Sequence, residues 1–178
     1  MIGAAAVFCT VGSARADYTW NNRFSYDNHT QDLFAAQEFS LDFFGTYGKN
    51  KAKFNDTFDR TARHGLFGGG VGANYFLTRH FGLGVDTFAQ AGDDAFIHGA
   101  SGSLILRLPI DSCHLAPYIL GGGGRTFEGP DAWNLHAGVG VEFRLNPHTG
   151  IFVEGRHTFH IDKGSDYAQF RAGVRFGF

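Results

Sequence analysis

At 178 residues and a formal net charge of -2, the chain is one domain's worth of polypeptide, with nothing marking a linker between two domains. The near-neutral charge and the lack of a basic stripe give no reason to expect nucleic acid as a partner. No run of about 18 or more apolar residues follows the N-terminal segment, which excludes a transmembrane helix. The composition instead gives 26 Gly, 20 Phe and 4 Pro, which suits a chain in which alternate residues are apolar.

Residues 2–13 are small and apolar, and Ala14-Arg15-Ala16 before Asp17 has the pattern of a secretory cleavage site. Residues 1–16 are therefore expected to be a signal peptide, shortened at its N-terminus because no basic region precedes it. With that segment removed, Cys113 is the only cysteine, which predicts a lone thiol in a turn and no disulfide within the mature chain. Residues 17–37 are polar and irregular. They end in Thr30-Gln31-Asp32-Leu33-Phe34-Ala35-Ala36-Gln37, where a helical turn or two capped by Thr30 is expected.

Eight strands are predicted next, each from two-residue alternation. The first, about 38–48, sets Phe39, Leu41, Phe43 and Tyr47 against Glu38, Ser40, Asp42 and Phe44. The second, 65–77, sets Phe67, Val71, Ala73, Tyr75 and Leu77 against Gly68, Gly70, Gly72 and Asn74. After a tight turn at 78–80, the third sets Phe81, Leu83, Val85 and Thr87 against Asp86, Phe88 and Gln90. The fourth, 97–108, sends Leu104, Leu106 and Leu108 one way and Ser101, Ser103 and Arg107 the other.

The fifth strand, 115–127, is phased with Tyr118 and Leu120 on the apolar face and Arg125 on the polar one, across Gly121 to Gly124. The sixth, 132–145, opposes Trp133, Leu135, Ala137, Val139, Val141, Phe143 and Leu145 to Asn134, His136, Gly138, Gly140, Glu142 and Arg144. The seventh, 150–160, places Ile151 and Val153 against Glu154, Arg156 and Thr158. The last places Phe170, Ala172, Val174, Phe176 and Phe178 against Gln169, Arg171, Gly173, Arg175 and Gly177.

Alternation is common to soluble and membrane barrels, so the content of the two faces decides. One face is almost wholly Phe, Leu, Val, Ile and Ala; the other carries Gly, Ser, Asn and charges of both signs. That division suits a lipid-facing exterior around a polar interior. Lipid cannot satisfy free backbone groups, so such strands must close on themselves. The predicted fold is all-β, an eight-stranded antiparallel up-and-down transmembrane β-barrel over 38–178. A barrel of that size is filled by side chains rather than by a wide water column.

The short connections at 78–80, 109–114 and 146–148 read as periplasmic turns, and the long charged segment 49–63 as an external loop. Residues 17–37 then belong at the periplasmic mouth. Aromatic residues near strand ends, including Tyr47, Phe67, Tyr75, Tyr118, Phe127, Trp133 and Tyr167, fit interfacial girdles. A soluble lipocalin-like carrier with its faces reversed is the alternative, and it leaves the terminal Phe178 without a purpose.

The polar face gathers the carboxylates Glu38, Asp42, Asp86, Glu142 and Glu154 and the guanidinium groups of Arg107, Arg125, Arg144, Arg156, Arg171 and Arg175. Near balance of sign predicts an interior charge network, since an unpaired buried charge costs several kcal/mol. The functional alternative is a narrow ion or small-solute channel lined by the same groups. The nine histidines are scattered, and His157 and His160, three apart on a strand, point to opposite faces. No metal site, no cofactor and no catalytic residue is therefore expected. His160-Ile161-Asp162-Lys163 faintly resembles the strand of lipid A deacylase barrels, whose nucleophilic Ser is replaced here by Asp162. A lipid-modifying enzyme is correspondingly disfavoured.

The closing run Tyr167-Ala168-Gln169-Phe170-Arg171-Ala172-Gly173-Val174-Arg175-Phe176-Gly177-Phe178, with Glu154-Gly155-Arg156 and Phe39-Ser40-Leu41-Asp42, resembles the small outer-membrane β-barrels of Gram-negative bacteria, the OmpA/OmpX-type and opacity-protein-like, porin-like barrels. The resemblance covers residues 38–178. It implies an outer-membrane location and a structural or surface role such as envelope integrity or adhesion. It also implies a C-terminal assembly signal at Phe170, Ala172, Val174, Phe176 and Phe178. The partners it implies are outer-membrane lipids, with the barrel-assembly machinery and periplasmic chaperones during biogenesis, around a monomeric protein.

Overall fold

Period-two patterning over eight segments produces eight strands: β1 Glu38–Asn50, β2 Leu66–Phe76, β3 Phe81–Gln90, β4 Gly99–Arg107, β5 Leu115–Thr126, β6 Ala132–Asn146, β7 Thr149–His160 and β8 Tyr167–Gly177. The computed structural model describes residues 33–50, 66–90, 99–127, 132–161 and 166–178. Residues 1–16, most of the segment 17–37 and the four connections on the side away from the termini lie outside the described residues. So do the expected turn at Thr30 and the stretch Asp162 to Ser165.

Each strand pairs antiparallel with its neighbours in sequence, and β1 pairs with β8 to close the barrel. Closure is in register from Ser40 opposite Gly177 to Asn50 opposite Tyr167. Phe39 and Phe178 then exchange backbone hydrogen bonds of 3.3 and 2.8 Å just beyond it, so the last residue still ties β1 to β8. Closure leaves no free edge, which is the condition for strands in hydrocarbon.

The turns at the terminal end are set by local side-chain chemistry. Thr78 Oγ1 accepts from the backbone N–H groups of His80 and Phe81 at 3.2 and 3.0 Å, and Asn146 Oδ1 accepts from that of His148 at 2.8 Å. Between β4 and β5, Asp111–Cys113 forms a single 3-10 turn ended by His114 in the left-handed region at φ 57°. Cys113 is disulfide-bonded in this structure, which contains the whole chain; the expectation of a lone thiol concerns the chain without residues 1–16.

The barrel is inside out relative to a soluble one. Phe67, Val85, Val139 and Phe170 are each more than 60% exposed on the outer face, while Arg107, Glu142 and Arg144 inside are at most 1% exposed. An apolar surface encircling all eight strands is far beyond the scattered patches of a soluble monomer. The predicted phase holds for seven strands.

Strand β5 is the exception. Tyr118 and Leu120 are buried inside at 4% and 7% exposure, whereas Ile119 and Arg125 face outward. Tyr167 also points inward, beside Thr158, so neither tyrosine belongs to an interfacial girdle. The misphasing of β5 has a physical origin. Ala116 to Leu120 is apolar on both faces and Gly121 to Gly124 carries no pattern, so Arg125 alone set the phase.

The bulky inward residues of the bore face glycines on neighbouring strands. A Cβ on Gly140 would strike the Tyr118 ring, one on Gly82 would lie 2.6 Å from the Phe76 ring, and one on Gly173 would lie 2.7 Å from Phe44 Cβ. Inward glycine is thus the hollow that admits an inward aromatic.

Candidate functional site

The bore holds two ionic clusters built from residues on adjacent strands. At the turn end, Glu38 on β1 receives Arg107 of β4 at 3.0 Å and also Arg144 of β6. Arg144 reaches Glu142 on its own strand as well, the two being inward neighbours two residues apart. Arg175 of β8 spans Glu142 at 2.6 Å and Asp42 at 2.7 Å, gripping Asp42 with both Nε and its second terminal nitrogen. Asn74 Nδ2 donates to Asp42 at 2.9 Å, which completes that carboxylate's shell. Charge-assisted forks of this kind are the strongest pairing open to buried carboxylates.

Toward the loop end, Arg156 bridges Glu154 and Asp86 at 3.0 Å each, and Arg171 reaches Asp86 at 3.0 Å. Ser101 Oγ accepts from Arg156 at 3.0 Å, and Gln169 Oε1 from Arg171 at 2.9 Å. His136 and Ser103 share a 2.8 Å hydrogen bond beside this cluster. Tyr118 stands between the clusters, donating to Glu154 at 3.1 Å while the Arg175 guanidinium lies 5.9 Å from its ring.

Among the described residues the interior balance is five carboxylates, Glu38, Asp42, Asp86, Glu142 and Glu154, against five guanidinium groups, Arg107, Arg144, Arg156, Arg171 and Arg175. Arg125 is the one expected member that the structure removes. It lies outside, its Cζ 5.9 Å from the Trp133 ring, and its departure brings the interior to neutrality. Removal of two ions from water costs several kcal/mol each, so neutrality with charge-assisted hydrogen bonds is what makes such a core tolerable.

Aromatic rings occupy the remaining space. Arg107 lies 3.6 Å above the Phe76 ring, and Arg171 stands 4.7 Å from Phe44 and 5.3 Å from Phe88. Phe44 meets Phe152 edge-on at 6.4 Å. At the turn end Phe34, fully buried, is flanked by Arg107 and Arg144, each 5.2 Å from its ring. Arg107 and Arg79 hold that segment by hydrogen bonds to the carbonyls of Ala35 and Phe34, both at 3.1 Å. Among the described residues, cavities in the bore measure about 20 Å³ beside Asp42 and Arg175 and about 10 Å³ beside Gln169 and Thr158. Each is the space of about one water.

Sequence reasoning did not single out Phe76, Phe152 or Tyr118 as bore residues. The first two sit on inward parity of correctly phased strands, so parity alone could have found them. Tyr118 required the register, which sets it opposite the inward Gly140. Among the described residues no group of three metal-ligating side chains forms. His157 packs on Phe159 at 4.6 Å, and the His160 N–H donates to Asp166 at 3.2 Å.

The closed ring of eight antiparallel strands, apolar outside and ionic within, can now be set beside known structures. The N-terminal β-barrel domain of Pseudomonas aeruginosa OprF superposes with a TM-score of 0.55 at 17% identity, covering 81% of this chain and 99% of that one. The chain has the fold of the small outer-membrane barrels. Ail, the attachment invasion locus protein of Yersinia pestis, gives 0.51 at 13% identity over 80% of this chain and 99% of its own. A de novo designed transmembrane β-barrel gives 0.52 at 15% identity, with 80% and 97% covered. No protein-family model and no curated relative matches the chain. Because a designed sequence adopts the same frame, the frame by itself specifies no ligand, and function has to be argued from the bore and the surface.

Proposed function

We propose that this protein is a non-enzymatic integral barrel of a Gram-negative outer membrane with a structural or surface role, such as envelope integrity or adhesion. The observation that carries this reading is the filling of the bore among the described residues: a neutral ionic core, inward aromatic side chains and, beside Asp42 and beside Gln169, spaces of only about 20 and 10 Å³. Conduction would require buried ion pairs to part, and one-sided loss of such a pair costs about 3 to 5 kcal/mol.

Planar-bilayer recording of the refolded protein tests it. A silent bilayer containing heat-modifiable, protease-resistant protein is expected. Steady, ion-selective steps would replace this reading with the narrow channel lined by Arg and carboxylate groups.

The terminal strand is proposed to act as the address read by the barrel-assembly machinery. Phe178 is 72% exposed, and Phe170, Ala172, Val174 and Phe176 lie with it on the outer face. Deletion of Phe178 is expected to lower outer-membrane yield more than refolding in detergent. Equal loss in both would reduce its role to closing the barrel at Phe39.

A further inference from the structure

We propose, on the barrel reading above, that residues 33–37 form a stopper for the turn-end mouth of the bore, with the ring of Phe34 seated in a cradle made by Arg107 and Arg144. Phe34 is fully buried although it precedes the first strand. Its segment joins no ladder, because β1 pairs with β2 from Glu38 and with β8 from Ser40. Side chains from other parts of the barrel hold it instead.

The seat spans the mouth. The Phe34 ring lies 5.2 Å from the guanidinium carbons of both Arg107, the last residue of β4, and Arg144, near the end of β6. Arg107 Nη2 donates to the Ala35 carbonyl and Arg79 Nε, from the turn between β2 and β3, donates to that of Phe34, both at 3.1 Å. A ring between two guanidinium groups fills apolar space and attracts both cations. With its own chain entering β1, the stopper is thus tied to β1, β4, β6 and one turn rather than packed on a single strand.

The chain is folded back to make this contact. Gln37 has φ 57°, in the left-handed region that a residue other than glycine seldom enters. That reversal stands directly before Glu38 and lets Phe34 return over the ions instead of continuing the line of β1. Such a conformation persists where the surroundings hold it, and the seat of Phe34 does so here.

Beneath the ring lies a group that gains from water. Arg107 and Arg144 are 1% and 0% exposed although both sit at the turn end of their strands. Arg107 Nη1 is buried without a hydrogen-bond partner among the described residues, and the Phe76 ring lies 3.6 Å from the same guanidinium. A buried unpartnered donor is stabilised when water reaches it, so its cover decides the access. Phe34 is that cover. Undocking of 33–37 admits water to Glu38, Arg107 and Arg144 without parting any strand pair.

Side-chain hydrogen exchange reads the cover directly. The Nε–H groups of Arg107, Arg144, Arg156 and Arg171 are each hydrogen-bonded within the bore, and the last two, toward the loop end, serve as the reference. The full chain, with isotope-labelled arginine, is refolded into phosphatidylcholine nanodiscs and followed by NMR, with heat modifiability checked in parallel. Phe34→Ala is expected to raise exchange at Arg107 and Arg144 about tenfold or more, the scale of losing part of a buried Phe side chain, while Arg156 and Arg171 stay within about twofold. Phe34→Leu should keep most of the protection. Arg79→Gln, which loosens the seat from a side chain 36% exposed, should give a smaller rise at the same two groups. A rise confined to the turn-end pair in either variant establishes the stopper. Unchanged exchange in both variants, or an equal rise at all four arginines, overturns it while the band shift shows the barrel intact. A parent band that does not shift on boiling overturns the barrel reading beneath it.

Discussion

At the turn end of the bore Glu142, with no exposed side-chain surface, is held by Arg144 and Arg175, whereas at the loop end Asp86 keeps 10% of its surface while meeting Arg156 and Arg171. The contrast extends to uncharged groups. Thr46 Oγ1, Gln90 Nε2 and Gln169 Nε2, all in the loop-end half, are buried without a hydrogen-bond partner. At the turn end the corresponding atom is one terminal nitrogen of Arg107, whose guanidinium lies flat on Phe76 at 3.6 Å. The two halves therefore share charge balance but not saturation. The turn end is satisfied more fully by protein groups, and the loop end keeps spare donors of the kind that ordered water occupies.

The largest effect expected from this contrast belongs to Glu142→Gln. It removes one negative charge between Arg144 and Arg175 in the turn-end half and should cost about 3 to 5 kcal/mol in urea unfolding from lipid vesicles. A loss below about 1 kcal/mol would mean that water reaches this cluster as readily as the other. Val139→Arg comes next, at about 2 to 4 kcal/mol, because it places a cation on the lipid face near mid-strand of β6. Unchanged stability would place that face out of lipid.

Asp86→Asn should cost less, about 1 to 3 kcal/mol, since Arg156 keeps Glu154 and the loop-end half can admit water. The comparison between halves sharpens if Glu142→Gln exceeds Asp86→Asn in the same assay, and it breaks if the order reverses.

How much was legible beforehand follows from the same physics. The strand phases were readable wherever a strand carries its apolar residues on one parity, as in Trp133 to Leu145, because hydrocarbon and bore impose opposite demands on alternate positions. Ten of the eleven groups expected in the charge network face the bore for that reason. Which carboxylate meets which guanidinium was not legible, because the pairs lie up to 133 residues apart in sequence and depend on the tilt and stagger of closure. The aromatic filling was half legible. Phe44 and Phe88 were placed inward, but Tyr118 was not, because nothing in its own strand shows that Gly140 of β6 leaves it a hollow.

The smallest effect is the one that decides the phase of β5. A guanidinium inside the charge network would, on removal, leave a carboxylate without its partner and cost about 3 to 5 kcal/mol. An outward Arg125, next to last in β5, should change stability by about 1 kcal/mol or less when replaced by Gln. Tyr118→Phe supplies the matching measurement on the other face of the strand. Removing the hydroxyl that donates to Glu154 at 3.1 Å leaves a buried carboxylate oxygen short of a donor, an expected loss of about 1 to 3 kcal/mol. Urea unfolding of the two variants side by side reads the strand directly. A costly Tyr118→Phe beside a nearly silent Arg125→Gln fixes β5 as found here, and the reverse order would turn it over, returning Arg125 to the bore and leaving the interior with one more cation than it has carboxylates.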